Sequence, residues 1–440
     1  MTHDRMADRE RILRLSKEGL WVVFGQAVAV LGSMLGVRVL TGLLDPAQYG
    51  ELALGLTFAA LVNQTVLGPI ANGITRFYAP AQERQDLGGY LHAVRWMVLA
   101  ASAVVLAGAL LVVIALLLAG KTQAIEIALM SLAFATATGH NGILNGIQNA
   151  ARQRSIAALH QGLEPWARLV VAASFLVILA PTSTVAMLGF TIGVVLVLGS
   201  QYLFFQRTIQ FGASANEQVQ EWFRNIWRYA WPFGAWGIFS WAQQASDRWA
   251  LELFASTREV GLYSALFQLG YYPMTMASGM MAQFLGPIFY QRAGDATDAR
   301  RNQDVTRLSR RLAAVILAAT AAVFGIAFLL HEQIFFLLVA PEYTGVSYLL
   351  PWMLLSGGIF AAGQTIALDL MSQMRTRSMA TAKIVTSSIG IALNFVGAYL
   401  FGTKGIVVAI VLFSVLYSVW LMLLSRQTTT GPNTQQVPLK

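Results

Sequence analysis

The stretch 155-SIAALHQGLEPWARLVVAASFLVILA-180 reads as a membrane span, yet it carries His160, Glu164 and Arg168 at i, i+4 and i+8. On a helix rising 1.5 Å per residue these three share one face over about 12 Å. A charge in the middle of a membrane helix costs a few kcal/mol, so such residues usually face a cavity or a partner. The chemistry available is anion binding: Arg168 as the contact, Glu164 as its resting partner and proton site, and His160 as a second polar contact. The alternative is a Glu164–Arg168 pair that locks two helices together. Pro165 removes a backbone hydrogen bond beside them and can bend the helix.

Other ionisable residues lie within apolar stretches. Arg38 and Arg248 sit at similar depths near the outer ends of the first and seventh spans and could form a basic mouth; Arg248 could equally bond Glu252 one turn on and snorkel outward. Asp247 is either a gate or coupling residue or one half of a structural salt bridge. Asp369 stands one turn inside the tenth span without a neighbouring base, where it would bind a coupling Na⁺ or H⁺ or simply meet water. Asn145, with Asn141, Gln148 and Asn149, offers hydrogen bonds to a polar ligand or to a neighbouring helix. Trp227, Trp231, Trp236, Trp241 and Trp249 offer sugar stacking, packing or interface anchoring. Lys121-Thr122 does not make a phosphate loop, because position 115 is Ala115 and the run is apolar helix.

The elements that must position these residues follow from composition. The chain has 440 residues, 56% hydrophobic and 12% charged, which is too few polar groups to cover a soluble body. The fold class expected is an all-α polytopic membrane protein. Twelve spans are predicted at about 18–44, 50–75, 88–118, 123–150, 155–180, 183–206, 227–255, 260–289, 311–338, 344–373, 378–402 and 405–425. The absence of cysteine excludes disulfides, thiolate metal sites and cysteine-held iron–sulfur clusters.

The net charge of +9 is distributed unequally. Arg5, Arg9, Arg11, Arg14 and Lys17 precede the first span, and Arg76, Arg84, Arg152, Arg154, Arg224, Arg228, Arg300, Arg301, Arg375 and Arg377 mark later ends on the same side. The opposite ends carry Lys121, Arg258 and Lys404. The positive-inside rule therefore puts both termini in the cytoplasm, and the basic charge is a topology signal rather than a nucleic-acid footprint. The organisation expected is a cytoplasmic amino-terminal segment (1–17), a first six-helix bundle (18–206), a cytoplasmic linker (207–226), a second six-helix bundle (227–425) and a disordered cytoplasmic tail (426–440). No connection is long enough to fold as a separate domain.

An internal repeat supports two halves. 152-RQRSIA-157 recurs as 375-RTRSMA-380, and 38-RVLTGLLDPAQYGELAL-54 resembles 248-RWALELFASTREVGLYSAL-266, with Gly50 and Gly261 211 residues apart. Six spans separate each motif from its copy, so the two bundles are parallel, an arrangement associated with transporters.

The signature Arg38-Val-Leu-Thr-Gly followed by Asp45-Pro46 and Tyr49-Gly50 resembles the first hairpin of the multidrug/oligosaccharidyl-lipid/polysaccharide (MOP) exporter superfamily, and within it the Wzx-type oligosaccharide flippases. The segment 247-DRWALELFASTREVGLYSAL-266 is similar to the matching hairpin of the second half. The resemblance implies two bundles around a central cavity that opens alternately to either side. It implies movement of undecaprenyl-pyrophosphate-linked oligosaccharide repeat units from the cytoplasmic to the outer leaflet of the cell inner membrane. Arg168 would then meet pyrophosphate or an anionic sugar, and a polysaccharide polymerase and chain-length regulator would be partners. No cofactor is implied beyond Na⁺ or H⁺ coupling. A cation-coupled small-molecule exporter of the same superfamily is the alternative, and Arg168 disfavours it because cationic cargo suits acidic or apolar cavities. A membrane enzyme would need a polar loop with paired carboxylates or a His-Asp set, and neither long connection contains a histidine.

Overall fold

The computed structural model describes residues 24–208, 216–294 and 296–427. The amino-terminal segment 1–17, part of the 207–226 connection and the tail from 428 onward lie outside the described residues. Among the described residues the chain is helical, with no strand.

The first helix, α1, runs Phe24–Leu43. It is followed by α2 (Pro46–Val62), a π-helical turn (Asn63–Leu67), α3 (Gly68–Glu83), α4 (Leu87–Leu118), α5 (Ala124–Ala150), α6 (Arg154–Ile178), α7 (Ser183–Thr208) and α8 (Asn216–Phe254). Then come α9 (Thr257–Leu269), α10 (Tyr271–Ala293), α11 (Ala299–Leu338), a 3₁₀ segment (Pro341–Leu349), α12 (Leu350–Ser372) and α13 (Thr376–Arg426). Gly402, at φ 55°, breaks α13 into two arms, a conformation that glycine alone adopts without a Cβ penalty. With α2–α3 and α9–α10 each read as one rod and α13 as two, the rods coincide with the twelve expected spans.

Among the described residues eight helical segments are long and apolar enough to cross a bilayer. The protein is thus a multi-pass membrane protein. Segments α6, α8 and α9–α10 fall outside those eight. Charged and polar residues, such as Glu164 and Arg168 on α6 and Arg224, Arg228, Asp247 and Arg248 on α8, dilute their apolar content.

Two compact units divide at Ala245 and Ser246, inside α8 rather than at the 207–226 connection. In the first unit α7 packs on both α5 and α6, and α3 packs on α5. Its core gathers Leu67, Ile74, Tyr90, Met97, Ile147 and Ile226. In the second unit α12 packs on α10, α11 and α13.

The repeat is visible in specific contacts. Asp45 caps α2, its Oδ1 accepting from the Ala47 and Gln48 amides at 2.7 and 3.1 Å. Ser256, 211 residues later, caps α9 through the Glu259 amide at 3.2 Å. One turn on, Gln48 Oε1 accepts from the Ser183 amide at 2.7 Å, while Ser183 Oγ donates to Glu51 at 2.5 Å. In the second unit the Thr403 amide donates to Glu259 at 3.2 Å, and Thr403 Oγ1 donates to the same oxygen. Each copy of the repeat therefore ties its first hairpin to an amide that opens its sixth rod, α7 in one and the second arm of α13 in the other. The RQRS and RTRS motifs likewise lie just beyond α5 and α12, whose closing turns put Arg152, the first residue of one motif, and Met374, the residue before the other, in the left-handed region (φ 60° and 59°). Bonds from Gln153 N to Gln148 O and from Arg375 N to Leu370 O, at 2.8 and 2.9 Å, close the two turns.

Candidate functional site

The α6 stripe is positioned by close helix approach. On α7, Gly189 and Gly193 form a G-x-x-x-G pair whose missing side chains admit α6. A Cβ on Gly193 would lie 2.7 Å from Arg168 Cα and 2.8 Å from its amide nitrogen. Trp166 Nε1 donates to the Val28 carbonyl at 2.9 Å and fastens α6 to α1.

Against this backbone the three ionisable residues separate. Each step of four residues advances about 40° around the helix, so His160 and Arg168 point about 80° apart. His160 is buried, with Nδ1 2.8 Å from the Ile156 carbonyl, Nε2 3.2 Å from Ser200 Oγ and its ring edge-on to Phe204. Both ring nitrogens are engaged, which makes His160 a joint between α6 and α7.

Glu164 and Arg168 remain together. Their side chains are 21% and 27% exposed, and Arg168 Nη1 lies 3.6 Å from Glu164 Oε1, a loose ion pair. Glu164 is held more firmly by Asn141 on α5, whose Nδ2 donates to Oε2 at 2.7 Å. The Arg168 guanidinium lies 5.6 Å from the Phe134 ring centroid and 5.3 Å from that of Phe190. Its Nε is buried with no hydrogen-bond partner among the described residues, and so is Asn141 Oδ1. A partly exposed cation with an unused donor, set between aromatic rings, has the chemistry to accept an anion.

The remaining candidates distribute as follows. Asn145 is buried, and its Oδ1 accepts from Gln201 Nε2 at 2.7 Å, while the same nitrogen reaches Gln148 Oε1 at 2.8 Å. That amide cluster joins α5 to α7. Arg38 is exposed on α1. In the second unit Asp247 and Arg248 form a buried pair at 3.3 Å. The Arg248 guanidinium stands 4.5 Å over Phe267, and Tyr263 donates to Asp247 at 2.5 Å. Asp369 is buried at the α11–α12 contact. Its Oδ1 accepts from Gln373 Nε2 at 2.6 Å and from Thr306 Oγ1 at 3.3 Å, and its Oδ2 has no partner among the described residues. Among the described residues no cluster of three or more His, Cys, Asp or Glu is placed to hold a metal ion.

Sequence reasoning missed the aromatic walls Phe134 and Phe190 and the Asp369 partners Thr306 and Gln373. The G-x-x-x-G at 189–193 was the available signal for the first set. Nothing in the residue pattern pairs α11 with Asp369.

Residues 15–291 match the family described as polysaccharide biosynthesis protein. The chain belongs to that family. Among solved structures, this polysaccharide biosynthesis family member is similar to a lipid II flippase, MurJ, in an inward closed conformation, with a TM-score of 0.71 at 13% identity over 92% of this chain and 86% of that one. It is also similar to an inward-facing multidrug resistance MATE family transporter of the MOP superfamily, with a TM-score of 0.69 at 14% identity over 91% of this chain and 94% of that one. An outward-facing MATE family transporter gives 0.55 at 15% identity, over the same shares of the two chains. No curated protein matches the sequence. The family member thus has the fold of MOP transporters and flippases.

Proposed function

We propose that the protein is a Wzx-type flippase that moves undecaprenyl-pyrophosphate-linked oligosaccharide repeat units from the cytoplasmic to the outer leaflet by alternating access. The observation that carries this reading is Arg168, whose Nε has no partner among the described residues and which pairs at 3.6 Å with a carboxylate already engaged by Asn141. An incoming pyrophosphate could draw the guanidinium from Glu164 without stranding that carboxylate, because the Asn141 bond persists. The planar fork of Arg168 suits two phosphate oxygens at once. Asn141 Oδ1 would accept from a sugar hydroxyl nearby.

In this reading both termini lie in the cytoplasm, the membrane is the cell inner membrane, and a polysaccharide polymerase and chain-length regulator act on the product. Asp369 is where a coupling Na⁺ or H⁺ would act, since its Oδ2 lacks a protein donor. Asp247 is engaged by Arg248 and Tyr263 and serves as a structural or gating pair.

Asp369 and the MATE likeness also favour a second reading, cation-coupled export of a small molecule. Loss of the gene separates the two. Flipping requires that undecaprenyl-linked repeat units accumulate on the cytoplasmic leaflet while their synthesis continues. Unchanged lipid pools with new sensitivity to cationic dyes would assign the protein to export.

A further inference from the structure

The opening turns of α8, 219-VQEWFRNIWRYAW-231, have one face that is fastened and one that is free. On the fastened face Trp222, Ile226 and Ala230 are buried in the first unit. Trp222 Nε1 donates to Asp86 Oδ2 at 2.8 Å, and Asp86 also caps α4 through the Gly89 amide at 3.0 Å. Arg84 pairs with Glu221 at 3.0 Å and lies 5.1 Å from the Trp222 ring centroid. Tyr90 meets the Trp222 ring edge-on at 6.1 Å. These contacts fix the rotation of α8 about its axis.

The opposite face carries Arg224, Trp227, Arg228 and Trp231. At 3.6 residues per turn all four fall within a sector of about 100° centred away from the buried residues. Trp227 and Trp231 are 54% and 57% exposed, and both arginines are exposed. Some basic side chains of the protein are used internally: Arg301 binds the Arg292 and Gln291 carbonyls, Arg310 binds the Ser425 carbonyl and Arg375 binds that of Gln427. Arg224 and Arg228 have no side-chain partner among the described residues.

We propose that this face is a binding site for the headgroup of an anionic phospholipid of the surrounding bilayer. Arg224 and Arg228, one turn apart, would hold the phosphodiester, while Trp227 and Trp231 would lie at headgroup level beside the glycerol and upper acyl chains. Charge complementarity selects the occupant: two guanidiniums with unused donors suit an anionic lipid, whereas a zwitterionic lipid cancels their field with its own ammonium group. Because α8 is pinned to the α3–α4 turn, a lipid seated here would bind a preformed surface and not an adaptable tail.

The test uses the full-length protein in nanodiscs of phosphatidylcholine with graded phosphatidylglycerol, reading lipid retention by native mass spectrometry. Quenching of tryptophan by brominated phosphatidylglycerol is taken as the difference between wild type and the Trp227→Phe/Trp231→Phe double variant. Arg224→Gln with Arg228→Gln should weaken phosphatidylglycerol retention by about thirtyfold, from the contribution of two arginines beside an anionic surface. Arg224→Lys with Arg228→Lys should retain most of it, and Arg300→Gln on α11 should change it little. Equal retention by wild type and the double Gln variant would overturn the proposal. So would equal quenching by brominated phosphatidylcholine, which would leave simple interfacial anchoring, or displacement of the lipid by millimolar inorganic phosphate, which would assign the face to a soluble anion.

Discussion

Removing the Arg168 guanidinium should separate stability from transport. Two unit charges 3.6 Å apart attract by about 4–5 kcal/mol at an effective dielectric of 20. Both side chains are about a quarter exposed, so desolvation and screening reduce the net contribution to about 1–2 kcal/mol. Stranding a fully buried carboxylate would cost about 3–5 kcal/mol. Here the 2.7 Å bond from Asn141 keeps Glu164 partnered, so Arg168→Ala should lose only about 1–2 kcal/mol and still insert. If Arg168 contacts the anionic head group, Arg168→Ala abolishes transport and Arg168→Lys restores part of it, since an ammonium keeps the charge without the fork. The double variant Arg168→Ala with Glu164→Gln should then recover stability but not transport. The assay is translocation of lipid-linked repeat units at equal membrane abundance, paired with thermal unfolding in detergent. Full transport in the double variant would refute Arg168 as a substrate contact and leave the pair as a helix tie.

Further outcomes follow from the same geometry. Gly193→Ala places a Cβ 2.7 Å from the Arg168 backbone and should destabilise by about 1–3 kcal/mol, whereas Gly108→Ala on α4, which meets nothing within 4 Å, should not; comparative unfolding temperatures decide. Asp369→Asn should remove the dependence of transport on an imposed pH or Na⁺ gradient while downhill movement continues, and an unchanged dependence would exclude Asp369 from coupling. His160→Ala should lower stability and transport in proportion, because its ring nitrogens are engaged within the protein, and transport lost at full stability would return it to the substrate path. Reporter fusions at Ala119, Pro181, Thr257 and Pro341 should report the outside and those at Arg154, Asn216 and Arg301 the inside, with an external signal at Arg154 incompatible with twelve spans.

Much of the scaffold was legible because it rests on local rules. Asp45-Pro46 and Ser256 are strong helix starts, Gly402 can adopt a positive φ, and the 211-residue spacing of Gly50 and Gly261 also separates the two caps. The π-helical turn at Asn63–Leu67 had no such local mark. Asn63 there donates to Thr138 on α5 at 3.0 Å, a contact that depends on packing between segments far apart in sequence. The polar content of α6 and α8 that hides them from a search by apolar length is the same content that makes them candidates for function.

Sequence alone ranks intramembrane ionisable residues by depth, and depth does not distinguish a tie from a site. What distinguishes them is whether each donor and acceptor is already used. Asp247 and Asp369 are both buried carboxylates in apolar helices, yet Asp247 accepts from Tyr263 and pairs with Arg248, while Asp369 retains an oxygen with no donor. His160 and Arg168 share one helix, yet the first has both nitrogens engaged and the second a buried Nε without an acceptor. An unpaired buried polar atom costs about 1–3 kcal/mol, and a fold that keeps one either has a partner that comes and goes or carries that cost without return. Under the proposed function, Arg168, Asn141 and Asp369 are the intramembrane candidates at which ligand, ion or proton exchange would proceed without first breaking a structural bond, whereas exchange at His160 or Asp247 would have to dismantle contacts within their own units.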